Sequence, residues 1–125
     1  MTPWLHWIVL AIAGGAGSLA RAGVTSLVVR LCGTGFPWGT LVVNALGSLA
    51  FGAIVGATRS RMTLPQGLET YLLVGLLGGF TTFSSFACQT VEMWEGGRPG
   101  AALVYGLASN LLGFLAVWIG LRLAG

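Results

Sequence analysis

Four long apolar runs separated by three short polar breaks leave this chain almost nothing from which to build a soluble surface. The runs cover about Trp4–Leu31, Trp38–Thr58, about Leu68–Trp94 and about Ala101–Leu123. Each has roughly 20 residues or more, enough to cross about 30 Å of hydrocarbon at about 1.5 Å per residue. The breaks are CGTGFP at 32–37, RSRMTLPQG at 59–67 and EGGRPG at 95–100. Only 7% of the 125 residues are charged and 55% are hydrophobic, against about 25% charged in a soluble domain. The expected fold is all-α, one domain over 1–125 with four transmembrane helices under a coat of lipid. Trp4, Trp7, Trp38, Trp94 and Trp118 fall near the span ends, where an aromatic belt belongs. The sequence shows no positively charged leader and no clear cleavage site before the first run, so that run reads as a mature helix.

Spanning the bilayer uses nearly every residue, and that excludes a soluble catalytic domain. The sequence holds no Gly-rich phosphate loop, no metal-ligand spacing and no His/Cys cluster. No nucleophile–base pair is visible, so an enzyme is not expected. The formal charge of +3 comes from scattered arginines, which read as loop anchors rather than a nucleic-acid footprint. Cys32 and Cys88 lie in different segments and read as small interfacial thiols, not a disulfide. His6, between Trp4 and Trp7, reads as an interfacial side chain.

The 21 glycines weaken helices in water but let helix backbones approach closely in lipid. Thr40, Asn44, Ser48, Gly52 and Gly56 recur at i+4 along the second span, a small and polar stripe that carries one amide. Tyr105, Ser109 and Gly113 repeat the pattern in the fourth span. With four spans both termini share a side, and that side collects Arg59, Arg61 and Arg122, while the other collects Arg30 and Arg98. Arg21 is deep in the first span. Orientation needs an excess of positive charge on one side, and three against two is hardly an excess. The chain is therefore expected to insert both ways up and to pair as an antiparallel homodimer.

The strongest local signal is GLLGGFTTFSSFACQT at 75–90. Gly78 and Gly79 followed by Thr81 and Thr82 are expected to interrupt the third helix near the midplane. Such a break is tolerated only where its backbone groups are buried in protein or satisfied by an ion, and it offers carbonyls to cations and amides to anions. A glycine kink with threonines bonded back onto their own helix accounts for the run equally well on composition. Phe80, Phe83 and Phe86 follow at i+3 and would share a face, as lipid-facing side chains or as ring edges, which are positive, turned to a small anion. Asn44 brings two donors that are costly to leave unpaired in hydrocarbon. Its plain role is an interhelical hydrogen bond. Glu69, Glu92 and Glu95 all lie near span ends, whereas a proton-coupled cation exporter wants a carboxylate inside the membrane.

GGAGSLAR (14–21), PWGTLVVNALGSLAFG (37–52) and GLLGGFTTFSSF (75–86) resemble the signature segments of the Fluc fluoride channels, also called CrcB-type proteins. The similarity covers essentially the whole chain. It implies a dual-topology, antiparallel homodimer in the cell's inner (plasma) membrane. Fluoride would leave the cytoplasm passively through it, and resistance to fluoride would follow. It also implies a structural sodium ion at the dimer centre, held by backbone carbonyls that correspond to Gly78 and Thr81. The pore-lining phenylalanines correspond to Phe83 and Phe86, the amide to Asn44, and the fourth-span polar track to Tyr105 and Ser109. Thr82, Ser84 and Ser85 extend that path, and Thr40 and Arg21 are counted with it. Two departures stand out: Gln89 where family members often carry glutamate, and Gly113 where the polar track often carries a hydroxyl. A small multidrug-type exporter shares the four-span, dual-topology plan and is the alternative function. The lack of a first-span glutamate argues against it.

Overall fold

The computed structural model describes residues 2–60 and 62–125. Arg61, counted above, lies outside the described residues, as does Met1. Among the described residues four helices are long and apolar enough to cross a membrane: α1 (Pro3–Cys32), α2 (Trp38–Arg59), α3 (Leu68–Glu95) and α4 (Pro99–Ala124). Proline opens α1 and α4, where its missing N–H costs no helical bond. Gly33, at φ 78°, ends α1 and donates its N–H to the Val29 carbonyl.

The helices run alternately up and down. At one end His6 Nδ1 lies 2.9 Å from the Tyr71 hydroxyl, and the Ser60 hydroxyl donates to the Ala124 carbonyl at 3.1 Å. At the other end Arg98 Nη1 donates to the Gly35 carbonyl at 2.8 Å. The most extensive pairing is α2 along α4. Glycine permits it: a Cβ on Gly52 would strike the Val117 carbonyl, and one on Gly120 would strike the Leu49 carbonyl. Many large apolar side chains face outward instead, among them Leu19, Phe114 and Leu123. An apolar exterior over a small-residue interior is what lipid solvation demands. The buried cluster of Leu41, Met93, Ala102 and Tyr105 is correspondingly small. Both cysteines are free and exposed.

The third span changes geometry along its length. Leu68–Thr70 is α-helical, Tyr71–Leu77 winds wider as a π-helix, and Gly78–Phe80 returns to α geometry. The Gly78 N–H reaches back five residues to the Leu73 carbonyl. Thr81 (φ −81°, ψ 157°) and Thr82 (φ −151°, ψ 110°) are extended, and Phe83–Glu95 is helical again. The glycines expected to disrupt the backbone do not do so themselves. Gly78 keeps right-handed angles, and Gly79 serves close packing, since a Cβ there would strike the Gly14 carbonyl of α1. The two extended residues hand α3 from one neighbour to another: its first half packs on α1 and its second half on α4.

Gly120→Val should cost about 1–3 kcal/mol, the usual penalty for overpacking. The check is thermal unfolding in detergent followed by circular dichroism. Gly106→Ala, at a position with nothing within 4 Å of the added carbon, should melt with the wild type.

Candidate functional site

Two extended residues inside an apolar span release backbone groups that lipid cannot satisfy. The Asn44 carboxamide takes them up. Thr82 N–H donates to Asn44 Oδ1 at 2.8 Å, and Asn44 Nδ2 donates to the Thr82 carbonyl at 3.0 Å. One side chain of α2 thus closes a reciprocal pair on one residue of α3. The threonines supply the rest. Thr81 Oγ1 bonds back to the Leu77 carbonyl at 2.9 Å, which also accepts the Thr81 N–H. Thr82 Oγ1 accepts the Ser85 N–H at 3.2 Å and caps the second half of α3. Its own proton goes to Ser85 Oγ at 3.0 Å. Thr81 thus bonds back onto its own helix, while Thr82 stands extended beside it.

Beside this junction lies a cleft of about 270 Å³, lined among others by Asn44, Ser48, Thr82, Phe83, Phe86 and Ser109. Ser109 Oγ is buried without a hydrogen-bond partner. Asn44 Nδ2 spends one of its two N–H groups on Thr82 and keeps the other. The Phe83 and Phe86 rings meet edge-on, centroids 5.6 Å apart at 62°. Phe86 then meets the Tyr105 ring at 5.1 Å, and Tyr105 meets Phe36 at 5.3 Å. Tyr105 is fully buried, and its hydroxyl donates to Gln89 Oε1 at 2.8 Å. Past this aromatic row opens a second cavity of about 290 Å³, lined by Phe36, Gln89, Glu92 and Arg98 among others. Uncharged donors and phenylalanine rings therefore line the inner cleft, and charged side chains stand at the outer one.

The family model described as "CrcB-like protein, Camphor Resistance (CrcB)" matches residues 8–121. The chain belongs to the CrcB family. Its curated relatives include the "Fluoride-specific ion channel FluC" of Thermus thermophilus, 42% identical over 124 residues, which are 96% of this chain and 95% of that protein. The protein of the same name from Nitratidesulfovibrio vulgaris is 42% identical over 91% of this chain and 92% of its own length. That from Agrobacterium fabrum is 43% identical over 93% and 94%.

Of the path expected for a CrcB chain, Asn44, Thr82, Phe83, Phe86 and Ser109 come together at the inner cleft. The others stand apart from it. Tyr105 sits behind Phe86, and Thr40 is buried in α2. Ser84 and Ser85 surround the Thr82 hydroxyl, at 3.4 and 3.0 Å. Arg21 Nη1 approaches the Thr81 carbonyl at 3.4 Å. Phe80 does not join the Phe83–Phe86 pair. Its ring lies over Gly47 of α2, because the extended threonines break the i+3 relation that a continuous helix would keep. Sequence reasoning missed Asn110, which lines the cleft and bonds the Gly106 carbonyl of its own helix. An amide in an apolar span was the available signal. Among the described residues no group of three His, Cys, Asp or Glu side chains can hold a metal. A cation at the junction would rest on backbone oxygens. Gly78 offers one, because the Thr82 N–H that would meet its carbonyl in a continuous helix goes to Asn44 instead. Thr81 offers another, whose oxygen has a lone pair beyond the long Arg21 contact.

Asn44→Ala strands both Thr82 backbone groups, each worth about 1–3 kcal/mol when buried and unpaired. A melting midpoint several degrees below wild type is expected in detergent. An unchanged midpoint would show that the clasp is dispensable.

Proposed function

We propose that this chain forms a passive, fluoride-selective channel that lets fluoride out of the cell. One observation carries the reading: the cleft beside the α3 junction presents uncharged donors, the second Asn44 N–H and the unpaired Ser109 hydroxyl, beside paired phenylalanine rings. The relatives' shared name supports it. Moving even a carboxylate-sized ion into a dry medium has an idealised cost of order 20 kcal/mol, and fluoride is smaller and more tightly hydrated. A conducting path must replace that water with weak donors in series and still release the ion. A fixed cation in the path would bind too tightly; hydroxyls, an amide and ring edges do not.

The working unit is an antiparallel homodimer in the inner membrane. Phe83 is 78% exposed, so one chain leaves its cleft open on that side and a second copy would close it. The near balance of arginines between the two ends agrees with insertion both ways up. In that dimer α3 acts as a broken helix near the midplane. The Gly78 and Thr81 carbonyls of the two copies would together hold a sodium ion, a hard cation suited to oxygen ligands. The ion would supply a permanent positive field near the path.

The test is fluoride efflux from liposomes holding the purified protein, with a potassium ionophore and a chloride-loaded control. Fast fluoride loss without chloride loss is expected, and a folded dimer that moves no fluoride overturns the reading. Phe83→Ile and Phe86→Ile should each cut flux by an order of magnitude or more while leaving a dimer on size-exclusion chromatography. Asn44→Asp should abolish flux, since it places a negative charge on an anion path. Wild-type rates in that variant would remove Asn44 from the path.

A further inference from the structure

Besides Ser109, the inner cleft holds a hydroxyl that neither the junction nor the aromatic row uses. Ser48 lies one helical turn beyond Asn44 on α2 and lines the same cavity. Its hydroxyl makes no hydrogen bond among the described residues, although a helical serine ordinarily bonds the carbonyl four residues back. Across the gap stands Gly113 of α4. A Cβ built there meets only Ser48 Oγ, at 3.8 Å, an ordinary contact distance. The two walls therefore face each other closely at this level, with a hydroxyl on one side and bare backbone on the other. Ser109, whose hydroxyl is also unpaired, sits one turn before Gly113 on the same wall.

We propose that Ser48 is a further ion-path residue, whose hydroxyl donates to the permeating anion in the gap opposite Gly113. With the free Asn44 N–H and Ser109 it completes a set of three uncharged donors on two facing helices. An unpaired hydroxyl inside an apolar span is costly unless something visits it, and a small anion stepping between donors is such a visitor. This inference rests on the anion-channel reading and assigns one more donor to it.

The test uses the full chain in liposomes and reads unitary fluoride conductance alongside ensemble efflux. Ser48→Ala should lower the fluoride rate roughly tenfold, the effect of one lost hydrogen bond to an ion, with the dimer peak and melting midpoint unchanged. The second variant is Ser48→Ala combined with Gly113→Ser, which returns a hydroxyl to the gap from the opposite wall. It should recover most of the flux, which a mere packing role for Ser48 would not produce. Wild-type flux in Ser48→Ala, or no recovery in a folded double variant, overturns the assignment. If the wild-type protein itself moves no fluoride, the channel reading falls first, and the assignment with it.

Discussion

Everything distinctive in this fold hangs on one side chain satisfying one residue's backbone. A helix that goes extended for two residues within hydrocarbon exposes an N–H and a carbonyl that have no water to turn to. The Asn44 carboxamide has a donor and an acceptor at the spacing of one peptide unit, and it meets both at Thr82. A carboxylate could accept but not donate, and a hydroxyl has only one atom for the task. The clasp therefore needs an amide, and the amide has to come from another helix.

Once the clasp holds, α3 is free to have two partners. Its first half lies on α1 and its second half on α4. A straight helix would have stayed on one neighbour. Close contact at each stage depends on missing side chains. Gly79 lies against the Gly14 carbonyl, and Gly47 leaves room for Thr81 and Phe80 beside the clasp. The helices approach by backbone contact, and the bulk of the side chains faces lipid.

The same geometry sets the chemistry. Capping by Thr82 starts a new helix at Phe83, which brings Phe83 and Phe86 to one side and leaves Phe80 on the other. The aromatic row continues through Tyr105 to Phe36, linking the inner cleft to the outer cavity where Glu92 and Arg98 stand. Weak donors line the inner cleft, with Arg21 reaching the Thr81 carbonyl beside it, and Glu92 and Arg98 stand at the second cavity. That division suits an ion that must be desolvated without being captured.

Four spans, their lengths and their breaks were legible in the sequence, because hydrocarbon thickness and backbone hydrogen bonding leave a long apolar run one option, a helix. The importance of 75–90 and of Asn44 was legible too, from polar residues placed where they are expensive. Other features depended on the neighbours. Gly78 and Gly79 followed by Thr81 and Thr82 announced an irregular backbone, but not that the glycines would stay helical and the extension fall on the threonines alone, beside the Asn44 amide of α2. Phe80, Phe83 and Phe86 looked like one face, as i+3 spacing requires of an unbroken helix. Ser48 read as part of a packing stripe, since spacing along α2 cannot say that Gly113 stands opposite. Local chemistry and bilayer physics determined which segments span and which residues are costly. Only the packing of four helices decided which of those residues meet, because that depends on distances between segments far apart in the chain.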